Sequence, residues 1–434
     1  MLTRNSKFFV TMNTKIRLTV MNFLQYAIWG SYLTSMGSYL VTAGLAPRIG
    51  LFYAMQGIVS LFMPALIGIL ADRWIPAQRL LGFCHLAAAL FMGCAGYYAS
   101  TAAGDVSFGT LFTLYALSVA FYMPTIALSN SVAYSALEGA GYDTVKVFPP
   151  IRVWGTVGFI CSMLICDAAG FQTTYMQFFQ CAVLGLVLGF YSFTLPDCPT
   201  NRSAERKSLI DVFGLRAFAL FKQKKMAIFF IFSMLLGVSL QITNGFANPF
   251  ITSFRGIPEY ASTFGANHAN ALISLSQVSE TLCILLIPFC LKRFGIKNVM
   301  LMAMTAWVLR FGLFGLGNPG SGVWMFILSM IVYGVAFDFF NISGSLFVNQ
   351  ETDIAIRSSA QGLFMIMTNG IGATIGTLGA QVVVNKLVNS QTEVSAITAG
   401  WSQSWLIFAA YALVVAVLFA LLFKYKHNPE AIAK

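Results

Sequence analysis

Twelve stretches of predominantly apolar residues recur along the chain, near 18–40, 49–71, 79–100, 106–128, 149–169, 174–196, 226–250, 268–291, 298–317, 323–348, 359–384 and 401–424. Each is long enough to cross a bilayer as a helix, which takes about 20 residues. The fifth is the weakest, opening at Pro149-Pro150 and ending near Asp167. Composition agrees: 58% of residues are hydrophobic and 9% charged, against roughly 45–50% and 25% in soluble domains. The expected class is an all-α polytopic membrane protein with twelve transmembrane helices.

A net charge of +11 could point to nucleic acid, but the placement of the charges excludes that reading. Lys and Arg crowd alternate loops, from Arg4 to Arg17, at Arg73 and Arg79, at Lys146, from Arg202 to Lys225, from Lys292 to Lys297, at Arg357 and from Lys424 to Lys434. The opposite loops hold only Arg48, Arg255 and Lys386. Basic loops stay inside, so both termini and the central loop are expected in the cytoplasm. No cleavable signal peptide is read, because the first apolar span is too long, and Met12 is an alternative start. The eight cysteines fall mostly inside spans and form no C-x-x-C pair, so they read as small buried hydrophobes. Neither a metal nor a cofactor is expected.

The one long polar segment divides six spans from six. This gives a cytoplasmic N-terminal segment at 1–17, a six-helix half at 18–196, a cytoplasmic linker at 197–225, a second six-helix half at 226–424 and a cytoplasmic tail at 425–434. That is the plan of the major facilitator transporters, in which substrate sits near mid-membrane. The run Gly68-Ile69-Leu70-Ala71-Asp72-Arg73-Trp74, followed by Arg79, resembles the G-x-L-A-D-R loop signature of that superfamily. Its counterpart, Leu291 to Asn298, keeps the basic residues and lacks the acid. The expected fold is therefore a major facilitator fold of two six-helix halves.

Inside the spans, polar residues are few and fall at one-face spacing. From Trp324 to Val348 the only ionisable side chain besides the Tyr333 phenol is Asp338. An Asp at the centre of a spanning helix costs about 2.5–3.5 kcal/mol on insertion scales and is expected to face protein or a cavity. Tyr333, Phe337 and Asp338 lie about one turn apart, offering a hydroxyl, a ring and an acid to one side. Arg152, Thr156 and Phe159 form a second stripe, although Arg152 also fits a snorkelling anchor. Gln241 and Asn244 are i, i+3, as are Gln277 and Glu280; amides there serve either as interhelical glue or as ligand groups. A buried Glu280–Arg310 ion pair is the structural alternative for Glu280. The stripe Gln25, Trp29, Tyr32 fits packing better than binding.

Amides, a hydroxyl, an arginine and rings suit a neutral, hydroxylated, planar ligand. Gln and Asn each offer a donor and an acceptor, matching vicinal hydroxyls, while Phe159, Phe337 or Tyr333 could stack on a base. A proton symporter needs at least one buried carboxylate able to hold a proton near neutral pH. Asp338 and Glu280 are the acids well inside spans, so coupling is expected through one of them.

Four blocks carry a family resemblance: Ile228 to Asn244, Phe148 to Thr156, Ser276 to Glu280 and Tyr333 to Gly344. They closely resemble the bacterial nucleoside:proton symporters of the major facilitator superfamily, over a length from about Met12 to His427. The resemblance implies proton-driven import of purine and pyrimidine nucleosides across the inner membrane by alternating access. It implies substrate contacts from Arg152, Thr156, Phe159, Gln241, Asn244, Gln277, Glu280, Tyr333, Phe337 and Asp338, with Asp338 and Glu280 as proton-coupling residues. Departures lie at the residues before Met12, the loop from Phe254 to His268 and the Gly-Asn-Pro-Gly turn at 317–320. The expected partners are a nucleoside, protons and the lipid bilayer, with no nucleic acid, and a monomer is expected. The nearest alternative is a proton symporter for an oligosaccharide or other polyol, which would use the same amides and acids. A sensor would need a soluble domain that 1–17 and 425–434 are too short to form. An enzyme is not expected, with no H-E-x-x-H, no G-x-S-x-G and His85, His268 and His427 scattered.

Overall fold

The computed structural model describes residues 4–102, 104–199 and 215–425. The linker positions 200–214, the tail positions 426–434, and the side chains of Asp72, Arg73 and residues 4–13 lie outside the described residues. Among the described residues there is no strand. The helices run α1 (Arg4–Gly30), α2 (Met36–Thr42), α3 (Ile49–Arg73), α4 (Ala77–Thr101), α5 (Phe108–Gly139), α6 (Thr144–Ala168), α7 (Met176–Ser192), α8 (Lys224–Ser253), α9 (Ala269–Ile284), α10 (Ile287–Leu316), α11 (Val323–Glu351), α12 (Ile354–Met365), α13 (Ala373–Val384) and α14 (Val394–Leu422). Nine membrane-length apolar helices occur among the described residues, α7 is a shorter apolar one, and α1 and α9 occupy the remaining expected positions. On α14, whose mean hydropathy is 2.7, Leu413, Val414, Val417, Leu418, Leu421 and Leu422 are exposed. Such a face suits lipid tails.

Two compact units emerge, residues 1–44 with 59–206 and residues 45–58 with 207–434. In the first, the expected first span is broken: α1 ends at Gly30 and α2 resumes at Met36. Side chains hold the break, with Ser31 Oγ 2.8 Å from Ser162 Oγ on α6 and Ser35 Oγ donating to Gln177 Oε1 on α7 at 3.1 Å. The crossing of α1 and α6 depends on two glycines. A Cβ on Gly30 would strike the Phe159 carbonyl oxygen, and one on Gly158 would strike that of Phe23. Small residues of this kind let transmembrane backbones touch.

In the second unit, the first part of α3 is stitched to α13. Gly50 N donates to Gln381 Oε1 at 2.6 Å and Gln381 Nε2 donates to the Ala46 carbonyl at 3.0 Å. Helix α10 is two helices end to end, because Gly295 takes a φ of 77° and breaks it. The eleventh expected span is α12 and α13 joined by a π-helical stretch, Ile366–Gly372. Aromatic side chains fill the core at two levels. Phe314 meets Trp405 at 4.8 Å and Phe250 meets Phe326 at 5.5 Å, while Phe229 meets Phe347 at 4.6 Å and Phe364 at 5.4 Å. Lipid is as apolar as these rings, so close packing rather than exclusion from water holds them.

Candidate functional site

Within the second unit, α11 carries Tyr333, Phe337 and Asp338 and is pressed against α9. A Cβ on Gly334 would lie 2.6 Å from the Ser279 carbonyl oxygen and 2.8 Å from Cys283 Sγ. Ser279 Oγ donates to the Ile331 carbonyl and Ser276 Oγ to Met330 Sδ, fixing the register of the two helices. Asp338 is thereby enclosed, 6% exposed, with Glu280 of α9 within electrostatic reach. Among the described residues Asp338 Oδ2 has no hydrogen-bond partner, and neither does Gln277 Oε1. A buried acceptor without a donor costs about 1–3 kcal/mol, and here two of them stand on adjoining helices.

The rings beside these acceptors form a short stack. Tyr333 and Phe337 lie 5.7 Å apart and 14° from parallel, and Trp307 meets Tyr333 edge-on at 5.9 Å. Phe337 also borders a small pocket together with Gly237, Leu240, Trp307, Asn341 and Thr368. Buried Arg310 lies under the stack, its guanidinium carbon 4.4 Å from the Tyr333 ring centroid. Its Nη1 donates to the Ser329 carbonyl at 2.7 Å and to Ser276 Oγ at 3.3 Å.

On α8 the two expected amides are joined in a chain. Asn244 Nδ2 donates to Gln241 Oε1 at 2.8 Å, and Gln241 Nε2 donates to Gln56 Oε1 at 3.4 Å. The sequence reading missed Gln56, although a lone amide inside an apolar span was the available signal. It also passed over Asn341, one turn beyond Asp338, whose Nδ2 donates to the Phe337 carbonyl at 3.0 Å.

In the first unit, α6 holds Arg152, Thr156 and Phe159. The Arg152 guanidinium carbon sits 3.8 Å from the Tyr26 ring centroid, so the side chain is held by a ring. Phe159 is buried and meets Trp29 edge-on at 6.4 Å, and Thr156 is half-buried. The stripe of Gln25, Trp29 and Tyr32 lies inside this unit. Gln25 donates to Thr125 Oγ1 at 2.8 Å and its Oε1 is 2.8 Å from His85 Nε2, while the Tyr122 hydroxyl donates to the Gln25 carbonyl at 2.7 Å. Gln25 is thus held by partners inside this unit. Among the described residues no cluster of metal-ligating side chains occurs.

The model of the family described as nucleoside H+ symporter matches residues 12–428. The chain belongs to the nucleoside H+ symporter family. This symporter is 47% identical over 419 residues to nucleoside permease NupG of Escherichia coli (strain K12), covering 96% of this chain and 97% of that one. It is also 47% identical over 424 residues to the xanthosine permease of the same organism, with 97% and 98% covered. The crystal structure of NupG superposes with a TM-score of 0.87 at 46% identity, over 95% of this chain and 100% of that one. The family consists of transporters, so the symporter is a multi-pass membrane carrier of the bacterial inner membrane and not an enzyme, with the major facilitator fold that the loop signature and span count imply.

Proposed function

We propose that the chain imports purine and pyrimidine nucleosides with protons by alternating access, and that Asp338 is the group that takes and releases the proton. The observation that carries this is the pair of buried acceptors, Gln277 Oε1 and Asp338 Oδ2, beside the parallel rings of Tyr333 and Phe337. Ribose hydroxyls supply the donors that these oxygens need, and a base is a flat partner for a ring. A protonated carboxyl keeps one acceptor and gains a donor, whereas an ionised one only accepts. Nucleoside binding and proton binding at Asp338 therefore depend on each other. Glu280, Gln241 and Asn244 are the second unit's further candidates for contact with substrate. Arg152, Thr156 and Phe159 are the first unit's candidates for contact with substrate, each testable by its own substitution. The carrier works as a monomer in the lipid bilayer with both termini in the cytoplasm, as the basic loops favour.

The test is uptake of labelled uridine and adenosine into proteoliposomes, with and without an inward proton gradient, for the wild type and Asp338→Asn. Gradient-dependent accumulation is expected in the wild type, and exchange without accumulation in the variant. A variant that still concentrates nucleoside would move the proton route to Glu280. Uptake of a disaccharide and of neither nucleoside would replace the substrate class. Since the chain is equally identical to NupG and to the xanthosine permease, competition by xanthosine belongs in the same experiment.

A further inference from the structure

His85 is fully buried on α4 and has no part in the site for nucleoside and proton. Which of its nitrogens carries the ring proton follows from its neighbours. Thr125 Oγ1 donates its proton to the Tyr122 carbonyl at 2.6 Å, so toward Gln25 it can only accept. The Gln25 nitrogen therefore faces Thr125, at 2.8 Å, and the Gln25 oxygen faces His85 Nε2, also at 2.8 Å. An amide oxygen cannot donate, so Nε2 bears the proton. A second proton on the ring would bury a charge, and no carboxyl lines the cavity beside it. His85 Nδ1 is thus left with a bare lone pair, and it has no hydrogen-bond partner among the described residues.

That cavity is lined in part by Tyr32, between α1 and α2, by His85 and Ala88 of α4, by Ser118 and Tyr122 of α5 and by Cys181 of α7. It has room for about one water molecule. Two hydroxyls on its wall are already committed as donors. Ser118 Oγ donates to the Ala88 carbonyl at 2.8 Å and the Tyr122 hydroxyl to the Gln25 carbonyl at 2.7 Å. Toward the cavity these two oxygens offer lone pairs, as His85 Nδ1 does. A wall of acceptors calls for an occupant that donates at least twice, and the space admits little beyond a single heavy atom. Apolar cavities stay dry, whereas polar ones of this size hold water bonded to roughly two to four groups.

We propose that one buried water molecule occupies this cavity as an integral part of the first unit, donating to His85 Nδ1 and to the Ser118 or Tyr122 hydroxyl oxygen. Its own lone pairs can accept from the Cys181 thiol or the Tyr32 phenol. The water closes a circuit of hydrogen bonds. From Thr125 on α5 the circuit runs through Gln25 on α1 and His85 on α4, then through the water back to α5. Every polar group along it is then satisfied, which is what makes a polar network tolerable deep inside a bundle. The three helices are fastened to one another without any charge among them.

The experiment is nitrogen NMR of the full-length protein in bilayers, with heavy-nitrogen histidine and with His85 left as the one histidine through His268→Gln and His427→Gln. Thermal unfolding beside the wild type establishes that this protein is folded. If the two substitutions unfold it, the wild type labelled at all its histidines is measured, the buried ring being the one whose N–H exchanges most slowly into heavy water. The expected spectrum has the proton on Nε2 and none on Nδ1. The Nδ1 resonance is expected to be shifted from that of a free imidazole nitrogen by an accepted hydrogen bond. That shift is expected to persist in Tyr32→Phe and in Cys181→Ala, which remove the other hydrogens that line the cavity. A proton on Nδ1, an unshifted Nδ1, or a shift lost in either variant overturns the proposal. The spectra need no cargo, so they bear on the cavity and not on the nucleoside reading.

Discussion

Buried amides in this chain differ in whether their bonds are made. Gln25 is fully buried and engaged with Thr125, His85 and Tyr122 inside the first unit. Gln277 is nearly as buried, yet its Oε1 has no donor among the described residues. Gln277→Ala is therefore expected to raise the KM for uridine about tenfold, the loss of about 1.4 kcal/mol from one hydrogen bond, with thermal stability unchanged. Gln25→Ala is expected to do the reverse: a melting temperature lower by several degrees, since His85 and Thr125 lose their partner, with KM unchanged. Uptake kinetics alongside thermal unfolding of both variants decide this. The sequence made both residues visible, because any polar group in an apolar span is costly enough to stand out. It could not separate them, because spacing defines a stripe without saying which helix the stripe meets. Gln56 was missed because no second amide or acid stands at stripe spacing from it, and Asn341, three residues after Asp338, was passed over beside the costlier acid.

At the scale of the helix, the apolar pattern placed nearly every element but not its interruptions. The break between α1 and α2 and the π-helical stretch at Ile366–Gly372 occur inside runs that remain apolar throughout, so hydropathy passes over them. They are held by hydroxyl bonds, such as Ser31 to Ser162, that join residues far apart in the chain. Glycines were legible as packing residues in general, whereas which of them sits at a crossing was not. Gly158 meets the Phe23 backbone, while Gly312 on α10 has nothing near the position of a Cβ. Gly158→Ala is expected to force α1 from α6, lowering the melting temperature by more than about 5 °C and reducing uptake. Gly312→Ala is expected to leave uptake intact and stabilise by up to about 1 kcal/mol through helix propensity. Side-by-side melting curves of the two variants check the contrast.

For the whole molecule, charge placement was the more informative signal. The basic loops alternate with loops poor in Lys and Arg, and that alternation predicts a topology in which a C-terminal green fluorescent protein fusion fluoresces and a C-terminal alkaline phosphatase fusion is inactive. The opposite pair of results would invert the chain in the membrane. The division into units was only partly legible. A polar linker marks one boundary in the sequence, but residues 45–58 group with the second unit although they precede it by most of the first. Their membership is set by bonds such as Gly50 to Gln381, between positions that share no sequence pattern. The oxygens at Gln277 and Asp338 that lack a donor among the described residues give the proposed binding site a last consequence for the molecule as a whole. Whatever binds the native state alone deepens it, so cargo held there, as proposed, is expected to raise the melting temperature of its own carrier.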